Sequence, residues 1–228
     1  MRVEDLILVS VDDHAVEPPD LFAGRLPPKY ADRGPRIVRT ETGDDVWEFE
    51  GVQIPNIGLN AVAGRPSEEY GIDPTSYDEM RRGCWDVHER VKDMSAGGVL
   101  ASMNFPSFPS FSGRLFGNSP DKALALAVVR AYNDWHIEGW AGAYPDRFIP
   151  MAIPVIWDPQ LAADEVRRVA AKGCHSLSFT RTRPLWGFRA STPRTGTHSG
   201  RLWWTPTPFS TSTSDRRARS RSPPRTPL

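Results

Sequence analysis

Three side chains that can bind a metal stand together near the start of the chain: Asp12, Asp13 and His14. They follow an apolar run, residues 6–11, which is rich in β-branched residues and has the length of a strand. Because side chains alternate along a strand, we expect Asp12 and His14 on one face and Asp13 on the other. A carboxylate oxygen and an imidazole nitrogen are suitable ligands for a divalent ion such as Zn²⁺ or Mn²⁺. The alternative is that the three residues form a solvated turn that ends the strand.

The elements that must position these residues alternate between strands and helices along the chain. Apart from the opening strand, the pattern predicts a hairpin over 36–52, strands over 99–105, 148–156 and 174–179, and helices over 77–96, 121–143 and 159–172. Such alternation with short connections is typical of parallel βαβ units. We therefore expect an α/β fold, a partial (β/α)8 TIM barrel of about four strands, with the hairpin as an excursion after strand 1. A barrel of this type keeps its chemistry at the carboxyl ends of its strands.

An aromatic, proline-stiffened segment follows the predicted second barrel strand. Phe105, Phe108 and Phe111 alternate there with Pro106 and Pro109. At a barrel mouth such a loop is suited to wall a pocket for a flat substrate, which makes Phe105 and Phe108 candidate substrate-binding residues. The alternative is a hydrophobic lid that packs on its own barrel.

Two further histidines lie in predicted regular structure. We expect His136 to be a packing or surface residue, since no metal-binding side chain stands at helical spacing from it. His175 alternates with Leu177 and Phe179 in the last predicted strand. It either lines the barrel or lies in the core, and we favour the core.

Composition and charge restrict the class of protein. The 228 residues carry no formal net charge, but residues 1–180 hold 27 acidic and 18 basic side chains, whereas 181–228 hold 10 Arg and one Asp. Cys84 and Cys174 are too few for a disulfide scaffold. No apolar stretch has the length of a membrane span or the form of a signal peptide. We therefore expect a cytoplasmic protein with no membrane or nucleic-acid partner.

Residues 6–180 resemble the amidohydrolase-related family, the branch that includes aminocarboxymuconate-semialdehyde decarboxylase and resorcylate-type decarboxylases. Four segments carry the resemblance: VSVDDHAVEPPDLF (9–22), RAYNDWHIEGWAGAYPDRFIPMAIP (130–154), WDPQLAADEVRR (157–168) and GCHSLSF (173–179). The family's first barrel strand usually ends in His-x-His or Glu-x-His, and Asp12-x-His14 stands in that place. The resemblance implies a metal-dependent (β/α)8 barrel with Asp12 and His14 as metal ligands.

The resemblance also implies a reaction. It points to hydrolysis or to non-oxidative decarboxylation of a small aromatic or unsaturated carboxylic acid, with Zn²⁺ or Mn²⁺ binding the substrate's oxygens or activating a water. A homo-oligomer is compatible with it. The family further needs a His from strand five, a catalytic His from strand six and an Asp from strand eight. None of these can be placed in this sequence, so the catalytic residues stay unknown.

The last 48 residues, 181–228, differ from the rest of the chain. Arg, Thr, Ser and Pro make up 33 of them, and Val, Ile, Glu and Lys do not occur. Such a composition cannot bury enough apolar surface to order itself, so we predict a disordered tail. One explanation is a basic arm that binds acidic surfaces, which would make the chain a basic-tailed binding protein. The explanation we favour is a reading-frame shift near Thr180, because the break follows a strand inside a barrel, where no domain boundary belongs.

Two readings of the function follow from these observations. The chain is either a metal-dependent enzyme of the family or a truncated, weakly active or non-catalytic fragment of one. Two ligands alone hold a divalent ion weakly, because catalytic metal sites in proteins use about three protein ligands. A half-barrel would also leave strand edges unpaired and apolar surface exposed.

Overall fold

The computed structural model describes residue 2, residues 5–59 and 61–179, and the backbone of 210–212. The strands, in chain order, are β1 (Leu8–Ala15), β2 (Arg36–Arg39), β3 (Asp45–Phe49), β4 (Val52–Ile54), β5 (Val99–Pro106), β6 (Phe148–Ile149), β7 (Met151–Ala152), β8 (Ser176–Ser178) and β9 (Ser210–Ser212). The α-helices are α1 (Val87–Ala96), α2 (Arg114–Gly117), α3 (Lys122–Asp134) and α4 (Pro159–Ala171). Almost all of the tail, 181–228, lies outside the described residues.

The parallel strands follow one another in sequence order. β1 pairs with β5 and β5 with β6, while β7 pairs with β8 and β8 with β9, every pair parallel. Pro150 separates β6 from β7, and because proline has no backbone N–H it interrupts the predicted 148–156 strand. The mixed α/β architecture with a parallel sheet confirms the expected fold class and is consistent with part of a TIM barrel.

The predicted hairpin excursion is confirmed. β2 pairs with β3 in antiparallel fashion, and β4 adds a third strand beside β3. The excursion packs on the main body through aromatic side chains. Trp47 lies edge-on to Phe22 and stacks on Phe108 with ring centroids 4.3 Å apart, and Phe49 contacts Phe116. This aromatic cluster belongs to the main hydrophobic core.

One strand end agrees with the alternation expected from the sequence, and one helix start differs. β1 runs through Asp12 and His14 to Ala15, so these residues lie in the strand and not in a turn after it. The segment Tyr77–Glu79 forms only a 3-10 turn, because Ser76 makes no capping hydrogen bond. α1 begins instead after Asp86, whose carboxylate accepts hydrogen bonds from the N–H groups of two first-turn residues.

The other two helix starts follow the expected capping chemistry. Asp121 caps α3 and Asp158 caps α4, each by accepting two backbone N–H groups. An apolar stripe on α3 is buried: Leu124, Val128 and Ala131 are each at most 3% exposed. After Asp134 the helix widens into a π-helical turn, Trp135–Trp140. The described helices include none that is both long and apolar enough to cross a bilayer.

The last histidine gives a correction, whereas the disorder of the tail stays a prediction. Residues 210–212 pair with β8. His175 is exposed, so its favoured placement in the core is wrong. β8 begins only at Ser176, and His175 therefore lies in the connection after Gly173, before the alternation of a strand sets in.

Candidate functional site

The candidate site is the carboxyl end of β1. The β1–β5 register advances three residues on β1, from Ser10 to Asp13, against two on β5, from Ser102 to Asn104. One extra residue is therefore accommodated just before the polar cluster. Such a bulge bends a strand and re-aims the side chains that follow it.

Asp13 and His14 point to opposite faces, as the alternation predicts. The Asp13 carboxylate accepts a hydrogen bond from the Ser102 hydroxyl, which in turn accepts one from the Asn104 amide. His14 instead packs against the rings of Phe105 and Phe111, at centroid distances of 5.9 and 6.2 Å. Asp13 therefore hydrogen-bonds to Ser102 on the strand face opposite the candidate site.

His14 is held in a form that can bind a metal. Partial burial lowers its pKa below 6.5, although the nearby Asp12 carboxylate and a hydrogen bond to the Pro106 backbone act in the opposite direction. Neutral imidazole is the form that ligates metals.

Arg90 of α1 fixes the backbone at the carboxyl end of β1, the corner that carries Asp12 and His14. Its guanidinium donates hydrogen bonds to the backbone carbonyls of His14 and Gly83, both at 2.6 Å. The same guanidinium lies over the ring of Trp140. Sequence reasoning did not find Arg90, because nothing in the pattern of α1 links it to a strand 76 residues away.

Glu17, also not found from the sequence, is a buried carboxylate three residues beyond His14. It is 1% exposed and accepts hydrogen bonds from the N–H groups of Ser107 (3.0 Å) and Phe108 (2.8 Å) and from the Tyr132 hydroxyl (3.3 Å). Burial raises its pKa from 4.5 to about 7. No local signal marks it, since its partners come from the segment after β5 and from α3.

The two candidate substrate-binding phenylalanines are both buried. Phe105 is fully buried and Phe108 is 9% exposed, stacked on Trp47. Phe111 is 37% exposed and contacts both His14 and Phe105. Of the aromatic residues in this segment, Phe111 is therefore the one that combines contact with His14 and access to solvent.

His136 has the packing role predicted for it. It is 1% exposed, its Nδ1 accepts the Met151 N–H, and its Nε2 donates to the Asn104 carbonyl. It thereby joins β5 to β7 beside the interruption at Pro150. Burial lowers its pKa to about 4, so the ring is neutral at physiological pH.

The donor types at the corner fit a divalent ion, but their number does not. Asp12 offers carboxylate oxygens and His14 an imidazole nitrogen, which suit zinc or manganese. Within residues 5–59 and 61–179, no group of three or more His, Cys, Asp and Glu side chains converges on a common point. The described residues supply part of a coordination shell, and no reaction step can be derived through a metal held by them.

Parallel strands with polar residues where the first strand ends are consistent with part of a TIM barrel. The sequence matches no protein-family model and no curated protein. Among solved structures, the fold is similar to a crystal structure of an amidohydrolase from Mycobacterium avium subsp. paratuberculosis, with a TM-score of 0.54 and 19% identity. The similarity covers 76% of this chain and 49% of that one, so the chain spans about half the length of the amidohydrolase.

Weaker similarities are to two decarboxylases. One is 2,6-dihydroxybenzoate decarboxylase from Rhizobium, with a TM-score of 0.40, 19% identity, and coverage of 75% of this chain and 38% of that one. The other is a dihydroxybenzoic acid decarboxylase from Polaromonas sp. JS666 with bound manganese and 2-nitroresorcinol, with a TM-score of 0.42, 18% identity and the same coverage.

Proposed function

We propose that this chain is the amino-terminal half of a metal-dependent TIM-barrel enzyme, a hydrolase or a non-oxidative carboxy-lyase acting on a small carboxylic acid. Asp12 and His14 are its metal ligands, for Zn²⁺ or Mn²⁺. The observation that carries the proposal is the position of these two residues where the first parallel strand ends, in a fold shared with an amidohydrolase.

The same proposal makes this chain weakly active or inactive on its own. Two ligands bind a divalent ion weakly, and the described residues offer no third. Leu8, Val9 and Val11 of β1 are 41–56% exposed, as expected for a barrel strand without its second neighbour. A non-catalytic fragment is accordingly the second candidate function.

We further propose that residues 1–180 form the barrel segment and that 181–228 arise from a shifted reading frame. The support is compositional: the tail lacks the Val, Ile, Glu and Lys that are frequent before it. A cytoplasmic location, a small-molecule partner and a family-like homo-oligomer belong to the same proposal. The basic-tailed binding protein is the less favoured alternative.

Reading the gene around codon 180 in all three frames tests the origin of the tail. One outcome is that another reading frame encodes a strand that ends in an apolar-apolar-His-x-Gly pattern. That result would support the enzyme and fragment proposals and would exclude the basic-tailed binding protein. If no frame continues the barrel, the frame-shift proposal is wrong.

Purified protein of 228 residues tests the activity. After incubation with Mn²⁺, we expect release of CO₂ from small aromatic carboxylic acids, and hydrolysis of their amides, to stay near the background rate. Turnover well above background that is lost in His14→Ala would show a complete site and contradict the fragment reading.

A further inference from the structure

The segment that follows β5, residues 107–113, crosses from the end of β1 to β8, and we call it the strap. At its start, Ser107 and Phe108 donate their N–H groups to Glu17, and the Ser107 hydroxyl donates to the Ala15 carbonyl. In its middle lies Phe111, whose ring meets that of His14 edge-on.

The far end of the strap is tied much less firmly. The Ser112 N–H donates to the Ser178 hydroxyl at 3.4 Å, and the buried Ser112 Oγ makes no hydrogen bond. Ser110 and Ser112 both have φ of 62°, a left-handed conformation that costs a non-glycine residue energy. Such strain persists only where the surrounding contacts enforce it, and the contacts of the strap include two hydrogen bonds to Glu17 and the stacking of Phe108 on Trp47.

We propose that Glu17 is a positioning residue that fastens the strap over the Asp12–His14 corner and so sets Phe111 as the wall of the candidate site. The proposal rests on the proposed function for its purpose, but the fastening itself is independent of any metal. A carboxyl group is suited to this task because its two oxygens accept several hydrogen bonds at once.

The hydrogen bonding of the strap to Glu17 depends on pH, because burial raises the pKa of Glu17. The titratable groups facing Glu17 are the hydroxyls of Tyr132 and Tyr77, the first bonded to its side chain and the second to its carbonyl oxygen. Burial and the Glu17 charge raise the pKa of both tyrosines, so both stay protonated. Asp20 and Asp45 act on Tyr77 in the same direction. On β1 itself, Asp12, Asp13 and His14 precede Glu17.

An open strap would expose Glu17 to solvent and return its pKa toward 4.5, whereas the closed strap holds it at about 7. Protonation therefore favours the closed form. The opening equilibrium should increase as pH rises from 4.5 to 7, by up to about tenfold per pH unit.

Amide hydrogen exchange, read by mass spectrometry on the whole chain without metal, tests the fastening. In Glu17→Gln one donor N–H must face the amide NH₂, so we expect exchange in residues 107–113 to accelerate at least tenfold. Glu165→Gln is the matched control. Glu165 is equally buried, but it is bound to Arg168, Arg130 and Asn133 and does not touch the strap. Unchanged strap exchange in Glu17→Gln, or equal acceleration in Glu165→Gln, would overturn the proposal.

Two measurements separate positioning from a general loss of stability. The His14 ring resonances of Glu17→Gln should shift toward those of Phe111→Ala, because both changes remove the Phe111 ring from His14. Resonances that stay at their wild-type positions would overturn the proposal.

If Glu17→Gln does not fold, the pH dependence of strap exchange in the wild type tests the proposal instead. Strap exchange corrected for intrinsic rates should rise between pH 4.5 and 7, and a flat profile would overturn the proposal. Failure to bind Mn²⁺ would affect only the proposed function.

Discussion

At the scale of single residues, the aromatic segment after β5 divides between core and site. Phe108 lies in the aromatic cluster with Trp47, Phe22 and Phe116, whereas Phe111 reaches solvent beside His14. The interpretation of this segment as a lid packed on its own barrel describes Phe108. The interpretation as a pocket wall remains a proposal and fits Phe111 better.

Paired alanine substitutions should show this division. Phe108→Ala leaves a cavity in the core and should lower the free energy of unfolding by about 3–5 kcal/mol. Phe111→Ala removes a partly exposed ring and should cost about 1 kcal/mol or less. Urea unfolding followed by circular dichroism measures both. Equal losses in the two variants would show that Phe111 is also a core residue.

At the scale of elements, β1 is the least protected strand of the parallel sheet. Within the described part of the chain it pairs with β5 only, and it exposes Leu8, Val9 and Val11. Unpaired edges with apolar side chains are sites of association between chains. In the second parallel sheet, β8 pairs with β7 on one side and with β9 on the other.

A charge placed on this edge should therefore improve solution behaviour without loss of stability. We expect Val11→Lys to lower the aggregated fraction in light scattering several-fold, with a melting temperature within about 2 °C of wild type, since the side chain is already exposed. The matched control is Val128→Lys on α3, which is fully buried and should prevent folding. Unchanged aggregation in Val11→Lys would mean that another surface mediates association.

The sequence predicted the order of elements well, because periodicity and capping are local properties. It could not predict the bulge in β1, where the three-residue step from Ser10 to Asp13 lies opposite a two-residue step on β5. It placed His175 wrongly because the strand begins at Ser176, two residues later than predicted. It gave no sign of Glu17, whose hydrogen-bond donors lie about 90 and 115 residues away. Contacts of this kind are set by the fold and leave no local pattern.

At the scale of the whole molecule, two buried groups act on stability in opposite directions. Burial raises the pKa of Glu17 from 4.5 to about 7, so the folded state holds a proton that the unfolded state has released. This contribution lowers the free energy of unfolding as pH rises from 4.5 to 7. Burial lowers the pKa of His136 from 6.5 to about 4, so its contribution is lost as pH falls through that range.

Each effect amounts to about 3 kcal/mol, and the two nearly cancel between pH 4.5 and 6.5. We expect a nearly flat stability profile for the wild type in this range. Glu17→Gln should leave a free energy of unfolding that rises with pH, and His136→Gln one that falls with pH. Urea midpoints at several pH values measure the slopes. Slopes of the same sign in the two variants would show that other groups control the pH dependence.

The proposed function requires that the end of β1 retains one corner of a metal site. Titration with Mn²⁺, followed by electron paramagnetic resonance, tests it most directly in the wild type, in His14→Ala and in the control Asp13→Asn, whose carboxylate faces Ser102. The account predicts weak binding, reversed by gel filtration, that is abolished by His14→Ala and kept in Asp13→Asn. Binding that survives His14→Ala, or that is lost only in Asp13→Asn, would contradict it.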